Sequence, residues 1–481
     1  MQTDINNSTL ISDVRTAFRD LKLPDIAAFY SDVIYPCRNI FSGVPDWHEI
    51  KRSGLYGRGL REVSRLNTAK VLCDEFSTLT FSEKTEIIIS DKSIQDYVNS
   101  VFSENGFYEN MPQFLSYAYA LGGGVIKCYA ADGKPVLDYL HADQFAPTEY
   151  DCRRISGGVF RSVTYTGKFY YTLFENFSGG KVEYKLFRSA DKDSLGMECP
   201  VSELYDIPDI VNYNSDVPMF AYFRPAVSNN LGDNCLGLSV FANSTDTLKA
   251  LDIAFDSFSR EFVLGRKRII VPSSCIRTVV DPETGNVRRY FDADDEVFQA
   301  LRCDDDKDLK ITDNTMEIRV AEHVDSINAL LNILCFQTGL SAGHLSFDAA
   351  GGMKTATEVI SQNSKTYRTA KAHKNMLEEF LIDLVHSICA VGNYLGQCPE
   401  LNDSVEISVS FADNIIEDDN TIIDNNIKLV QAGLKSKLTA MMDVLKCDEK
   451  TARAELERIS EENSQINDDG MFDADQDSDA I

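Results

Sequence analysis

The sequence predicts an α+β chain, and three observations carry that expectation. Apolar residues recur at helical spacing through several long stretches. A block from about Val125 to Phe220 instead alternates with period two between turn residues. A glycine-punctuated loop, SAGHLSFDAAGGMK (Ser341 to Lys354), then feeds one very long helical pattern. At 481 residues, 43% hydrophobic and 25% charged, the chain can bury sizeable cores as a globular protein of roughly two to four domains.

Residues 1 to about 120 read as helical after a polar lead. In LNTAKVLCDEFSTLTF, Val71, Leu72 and Phe76 share one face; further on, Val98, Phe102 and Phe107 lead toward Leu115 and Ala118. The glycines at Gly122 to Gly124 mark a helix-to-strand break, since no Lys-Ser/Thr pair and no helix follows as a phosphate loop requires. Next comes an antiparallel sheet of five or six strands, with hairpin turns at Asp132-Gly133, Thr166-Gly167 and Gly179-Gly180. Helices are predicted over Phe241 to Leu264 (Leu248, Leu251, Phe255, Phe258 and Phe262 inward) and Ala321 to Thr338 (Val324, Ile327, Leu331 and Leu334), stopped by Gly265 and Gly339. Their matching seams suit side-by-side packing. Between them lies a module of short strands with one helical turn around Val297 to Leu301.

The loop from Ser341 to Lys354 has three glycines and three alanines without periodicity and reads as mobile backbone between helices. Thr355 and Glu358 form a capping-box pattern for the long helix, whose apolar stripe runs from Val359 to Leu395. The stripe thins where Lys365, Arg368, Lys371, His373 and Lys374 crowd together, so a wet basic centre is expected. VEISVSF (Val405 to Phe411) alternates like one strand. Two helices follow, separated near Gly433, and the acidic tail should be disordered.

Seventy-five acidic against 47 basic residues leave a formal charge of −28, which argues against tight binding of a DNA backbone. Net acidity also serves solubility. Twelve cysteines are scattered without a CxxC, which favours buried thiols in a reducing compartment over disulfides or zinc. No secretory signal or membrane span is visible. The six histidines lack ligand spacing, there is no GxSxG, and AAGGMKTATE departs from a phosphate-binding loop, so no catalytic residue, metal or cofactor is expected. The acid runs around Asp292 to Glu296 and Asp304 to Asp308 suit either Mg²⁺ or solvated charge.

The order of parts, with GGGVIKCYA, DYLHADQFAPTEYD and above all GGMKTATEVISQNSKTYRT, resembles the portal proteins of tailed double-stranded DNA bacteriophages, in the group found in phages of Gram-positive hosts. The resemblance spans Leu66 to about Glu457. It implies a wing over 1–240, stem helices over 241–265 and 321–340, and a clip over 266–320. A tunnel loop over 341–354 and a long wing and channel helix over 355–397 would follow. A strand return over 398–420, crown helices over 421–460 and a disordered acidic tail over 461–481 complete it.

It further implies a non-enzymatic ring of twelve subunits at one capsid vertex, through which double-stranded DNA is packaged and ejected. The implied partners are the terminase large subunit, the head-tail connector and the capsid and scaffolding proteins. His344, Ser346, Asp348 and Lys354 would face DNA from the loop, and Lys365, Arg368 and Lys371 from the helix; those helix cations would equally suit acids of a neighbouring subunit. Arg266, Lys267, Arg268, Asp304 and Asp305 would meet the motor and connector, or else keep strand edges from aggregating. A monomeric scaffold or adaptor, and a nucleotide-dependent DNA-processing enzyme, are the competing classes.

Overall fold

The computed structural model describes residues 9–469 except 22, 55–56, 83, 152–153, 266–268, 273–277, 281–286, 290–297, 302–311, 314–316, 348–355, 403–404, 412–418 and 446–448. The chain divides into two compact units, Met1–Ala350 with Asn363–Ala412, and Gly351–Gln362 with Asp413–Ile481.

The first unit opens with α1 (Thr9–Ala17), then α2 (Ala27–Phe29) and α3 (Tyr35–Phe41), joined through a π-helical turn at Tyr30–Ile34. A hairpin follows, β1 (Glu49–Gly54) with β2 (Gly57–Glu62), which the helical expectation for this region did not include. Its sequence, KRSGLYGRGLR, is too rich in glycine and cations to alternate. Helix α4 (Thr68–Thr80), strand β3 (Glu86–Ile89), and helices α5 (Lys92–Glu104) and α6 (Phe107–Leu121) come next. Leu72 and Phe76 of α4 are buried as expected, with Cys73 buried beside them, but Val71 turns outward. Asp91 caps α5 by accepting from the amides of Ser93 and Ile94.

Gly122, at φ +81°, ends α6, and the sheets begin at Gly124. Strands β4 (Gly124–Ala131), β5 (Lys134–His141), β6 (Phe145–Asp151), β7 (Arg154–Tyr165), β8 (Tyr170–Ser178), β9 (Lys181–Ser189), β10 (Met197–Cys199), β11 (Ile210–Asn212) and β12 (Phe220–Phe223) form two sheets rather than one. Six strands run β10-β9-β8-β7-β6 with β11 also on β9; three run β12-β4-β5. Asp132-Gly133 and Gly179-Gly180 both take positive φ, as two-residue hairpins demand. Lys127 on β4 ties the two sheets together by pairing with Glu175 on β8, and with Asp138 on β5 at 3.2 Å.

Helices α7 (Thr245–Leu264) and α8 (Val320–Thr338) run antiparallel: Thr247 Oγ1 donates to Gln337 Oε1 at one end, and Arg319 forks onto Glu261 at the other. Leu248 and Leu251 pack inward with Ile327, Leu331 and Leu334, whereas Phe262, expected inward, is exposed one turn before the helix stops. Between these helices the backbone forms β13 (Ile269–Pro272), β14 (Thr278–Val280), β15 (Val287–Arg289), β16 (Phe298–Leu301) and β17 (Thr312–Asp313). Strand β16 pairs in parallel with β13 and replaces the helical turn expected there; four apolar-rich residues fit either state, and pairing decides.

Helix α9 (Ala356–Tyr394) has 39 residues, about 58 Å at 1.5 Å per residue. Gly392 lies inside it, where a Cβ would meet the Tyr97 hydroxyl at 2.5 Å. Phe380 stacks on Phe114 at 5.8 Å and meets Phe223 edge-on at 5.7 Å, so the C-terminal half of α9 is part of the core. Strand β18 (Ile407–Ser410) then pairs antiparallel with β3, Ile407 opposite Ile89. The eight described cysteines are all free thiols, seven of them buried.

The second unit holds α10 (Asp419–Gln431), α11 (Lys437–Leu445) and α12 (Glu449–Asp469) around an apolar groove lined by Ile423, Ile427, Met441 and Leu456. Helix α12 continues nine residues into the segment expected as disordered tail, carried on from the helix-favouring run AELERISEE.

Candidate functional site

The site expected from sequence is the loop after Gly339 with the neighbouring stretch of α9. Gly339, at φ +86°, closes α8 in the left-handed conformation. Its carbonyl accepts from Thr369 Oγ1 at 2.7 Å. Two residues on, the Ser341 amide donates to Thr366 Oγ1 at 2.8 Å and the Thr366 amide donates to Ser341 Oγ at 3.2 Å, with both residues buried. Thr366, Thr369 and Ala370 bring α9 within hydroxyl reach of the end of α8, which bulky residues would prevent.

The described half of the loop is therefore held, where mobile backbone was expected. Asn332 Oδ1 accepts from the Gly343 amide at 2.7 Å and Asn328 Oδ1 from the Phe347 amide at 2.8 Å, laying residues 343–347 back along α8. His344 Nε2 sits 2.9 Å from Glu75 Oε1 on α4, and that hydrogen bond draws the Glu75 carboxyl below its ordinary range. His344 thus serves as an anchor instead of an open loop group. Ser346 is exposed. Asp348 and Lys354, with the Thr355 cap, lie outside the described residues.

The helix cations divide by role. Lys365 donates to the Phe336 carbonyl at 2.8 Å and its ammonium lies 4.7 Å from the Phe336 ring centroid, so it fastens α9 to α8. Arg368 is exposed and reaches the Ser364 carbonyl one turn back at 3.4 Å. Lys371 is exposed as well.

His373, grouped with these cations in the sequence, is 2% exposed. Its Nδ1 accepts the Ala226 amide at 3.0 Å and its ring lies between Phe76 and Tyr119, at 5.1 and 5.2 Å. Burial lowers its pKa to about 4, so it is a neutral core residue at physiological pH. The wet segment of α9 is one face only. Arg266, Lys267, Arg268, Asp304 and Asp305 lie outside the described residues.

Sequence reasoning missed a second set of anchors. Asp252 and Asp256, one turn apart on α7, are buried acids not singled out from the sequence. Asp252 accepts from Trp47 Nε1 at 2.9 Å and from the Leu66 amide at 3.0 Å. Asp256 takes both arms of Arg61, at 2.7 and 2.8 Å, and the Ser64 amide at 3.0 Å. The Arg61 guanidinium holds the Asp256 carboxyl below the usual carboxylate range. The acid pair at i and i+4 was the available signal; nothing in sequence pointed to Arg61 as its partner.

Among the described residues no three metal-ligating side chains cluster, and no helix is long and apolar enough to cross a membrane. What the geometry builds is a set of fixed joints: a helix pair bolted to a hairpin, and a loop bolted to both its own helix and the next. The family model described as "Phage portal protein, SPP1 Gp6-like" matches residues 59–469, and the chain belongs to that family. No curated protein matches the chain. Among solved structures, a chain from the "Neck of native GTA particle computed with C12 symmetry" is similar at 12% identity and a TM-score of 0.39, covering 78% of this chain and 88% of that one. At that score nothing is carried over from it.

Proposed function

We propose that this chain is the subunit of a ring of about twelve copies at one vertex of a virion, through which double-stranded DNA is packaged and later ejected. The carrying observation is membership of the portal family over residues 59–469. On this reading α7 and α8 are the stem, 266–320 is the clip that meets the terminase motor and the connector, and the loop from Ser341 to Lys354 borders the channel. The helices after 421 are the crown, and the capsid and scaffolding proteins surround the wing. The role is mechanical, without chemistry of its own. The charge of −28 supports it, since a channel that lets a duplex slide both ways must hold phosphate weakly, with Lys354, Arg368 and Lys371 as sparse centring cations.

Negative-stain microscopy with native mass measurement tests this reading. Rings with a central hole and a mass near twelve subunits are expected. A monodisperse monomer at every concentration and salt would instead favour a scaffold or adaptor. Lys354→Glu should shorten the packaged DNA in rings that assemble normally, and unchanged packaging would remove Lys354 from the channel.

A further inference from the structure

Among the described free thiols, Cys389 and Cys398 meet each other. Cys389 lies near the end of α9 and Cys398 just beyond it, 2% and 5% exposed. The chain returns on itself there because the amides of Gln397 and Cys398 both donate to the Gly392 carbonyl, at 2.9 and 3.2 Å. Gln397 Nε2 in turn donates to the Gly133 carbonyl at 2.8 Å, which holds the return against the turn between β4 and β5. The two thiols interact directly, the Cys389 S–H donating to Cys398 Sγ. Cys128 on β4 lies close by, fully buried. So does the Tyr97 hydroxyl, buried without a hydrogen-bond partner among the described residues and thus a donor available to a thiolate.

The two sulfurs differ in access and in acidity. Cys398 is flanked by exposed Gln397 and Pro399, and Gly396, at φ +69°, has open space around it. A local opening of this turn therefore uncovers Cys398, while Cys389 stays on the helix. The hydrogen bond that Cys398 accepts draws its thiol below the ordinary range, as an attacking thiolate requires. The bond it donates, together with burial, keeps the Cys389 thiol protonated.

We propose that Cys389 and Cys398 are a redox pair that a low-molecular-weight disulfide, such as oxidised glutathione, converts to an intrachain disulfide, fastening the end of α9 to the segment that leads into β18. The Cys398 thiolate attacks one sulfur of the oxidant and forms a mixed disulfide, and one reduced thiol leaves with a proton. Cys389 then gives up its proton and attacks the Cys398 sulfur, which forms the protein disulfide and expels the second reduced thiol. The protein loses two hydrogens and two electrons, and the oxidant takes both. Closing this short loop constrains the unfolded chain and so favours the fold. The inference stands apart from the ring reading, since it concerns one subunit.

The test incubates the folded, reduced full-length chain with oxidised glutathione, quenches with acid, then denatures and maps the peptides by mass spectrometry. Chymotryptic cleavage after Tyr394 separates the two cysteines, so a surviving link identifies the bond. Wild type should show Cys389 joined to Cys398, with a thermal midpoint raised by a few degrees and restored by dithiothreitol. Cys128→Ser, checked for folding under reducing conditions, should form the same link. Cys389→Ser should stop with glutathione on Cys398. Should a variant fail to fold, the wild-type map decides alone. A folded wild type in which both thiols stay reduced, or in which Cys398 keeps glutathione without passing it on, would overturn the proposal. A link from Cys128 to either partner, or one that forms only after unfolding in urea, would overturn it as well.

Discussion

Ser341 and Thr366 hold each other by a reciprocal pair of hydrogen bonds, each amide donating to the other's hydroxyl, at 2.8 and 3.2 Å. The joint lies where the loop after Gly339 leaves α8, so the loop's position is set by α9 as much as by its own helix.

Thr366→Val keeps the side-chain shape and leaves the buried Ser341 amide without its acceptor. It should cost about 1–3 kcal/mol in urea unfolding and speed proteolysis between 341 and 354. Cleavage at the wild-type rate would show that the joint does not restrain the loop.

Gly339→Ala forces a side chain onto left-handed backbone, with its Cβ 2.8 Å from Thr369 Oγ1. A loss of at least about 1–2 kcal/mol is expected. Thr369→Ala, which removes the contacting hydroxyl, should relieve only the steric part when combined with it, since the backbone strain remains and the hydrogen bond to the residue-339 carbonyl is lost as well.

His373 links stability to acid. Its folded pKa of about 4 lies below the unfolded value of 6.5, so it is neutral in both states above pH 6.5 and folding carries no penalty there. As pH falls from 6.5 toward 4 the unfolded chain takes up a proton that the folded chain refuses, costing about 3 kcal/mol in all. His373→Leu should lose the Ala226 hydrogen bond at neutral pH yet flatten that part of the acid slope. Parallel slopes for the two proteins would refute the assignment.

Asp256→Asn should uncouple the β1–β2 hairpin from α7 at a cost of roughly 2–3 kcal/mol, because Arg61 is left without its carboxylate. In the wild type the same contribution is present at neutral pH and disappears as acidity passes the lowered range of Asp256. Faster amide exchange over 49–62 in the variant is the local readout.

The helix cations should separate by assay. Lys365→Met should lower thermal stability through its contacts with Phe336, whereas Arg368→Gln and Lys371→Gln should leave it unchanged. If the exposed pair centres DNA, only the latter substitutions change packaged length in assembled rings.

Helices α7, α8 and α9, the glycine stops and the tight hairpins were legible because each is written in local spacing. Strand β18 was legible as a strand, but its partner β3 was not, since pairing between distant segments leaves no trace in either. The β1–β2 hairpin escaped because its alternation is broken by Gly54, Gly57 and Gly59. At the site, the loop and the cations were found, yet burial sorted them: His373 went to the core, Lys365 to the α8 joint, and Arg368 and Lys371 to solvent. Ser341 and Thr366 look like ordinary loop and helix residues until the fold brings them together.

The β3–β18 pairing has a consequence for synthesis. Glu86–Ile89 is made early, and its only strand partner among the described residues is Ile407–Ser410. A nascent chain therefore carries an unmated strand past the ribosome until almost the whole protein has emerged, during which that edge can recruit other chains. Chains released before residue 410 would leave β3 without its partner, so premature termination should yield aggregation-prone fragments in place of short but usable subunits.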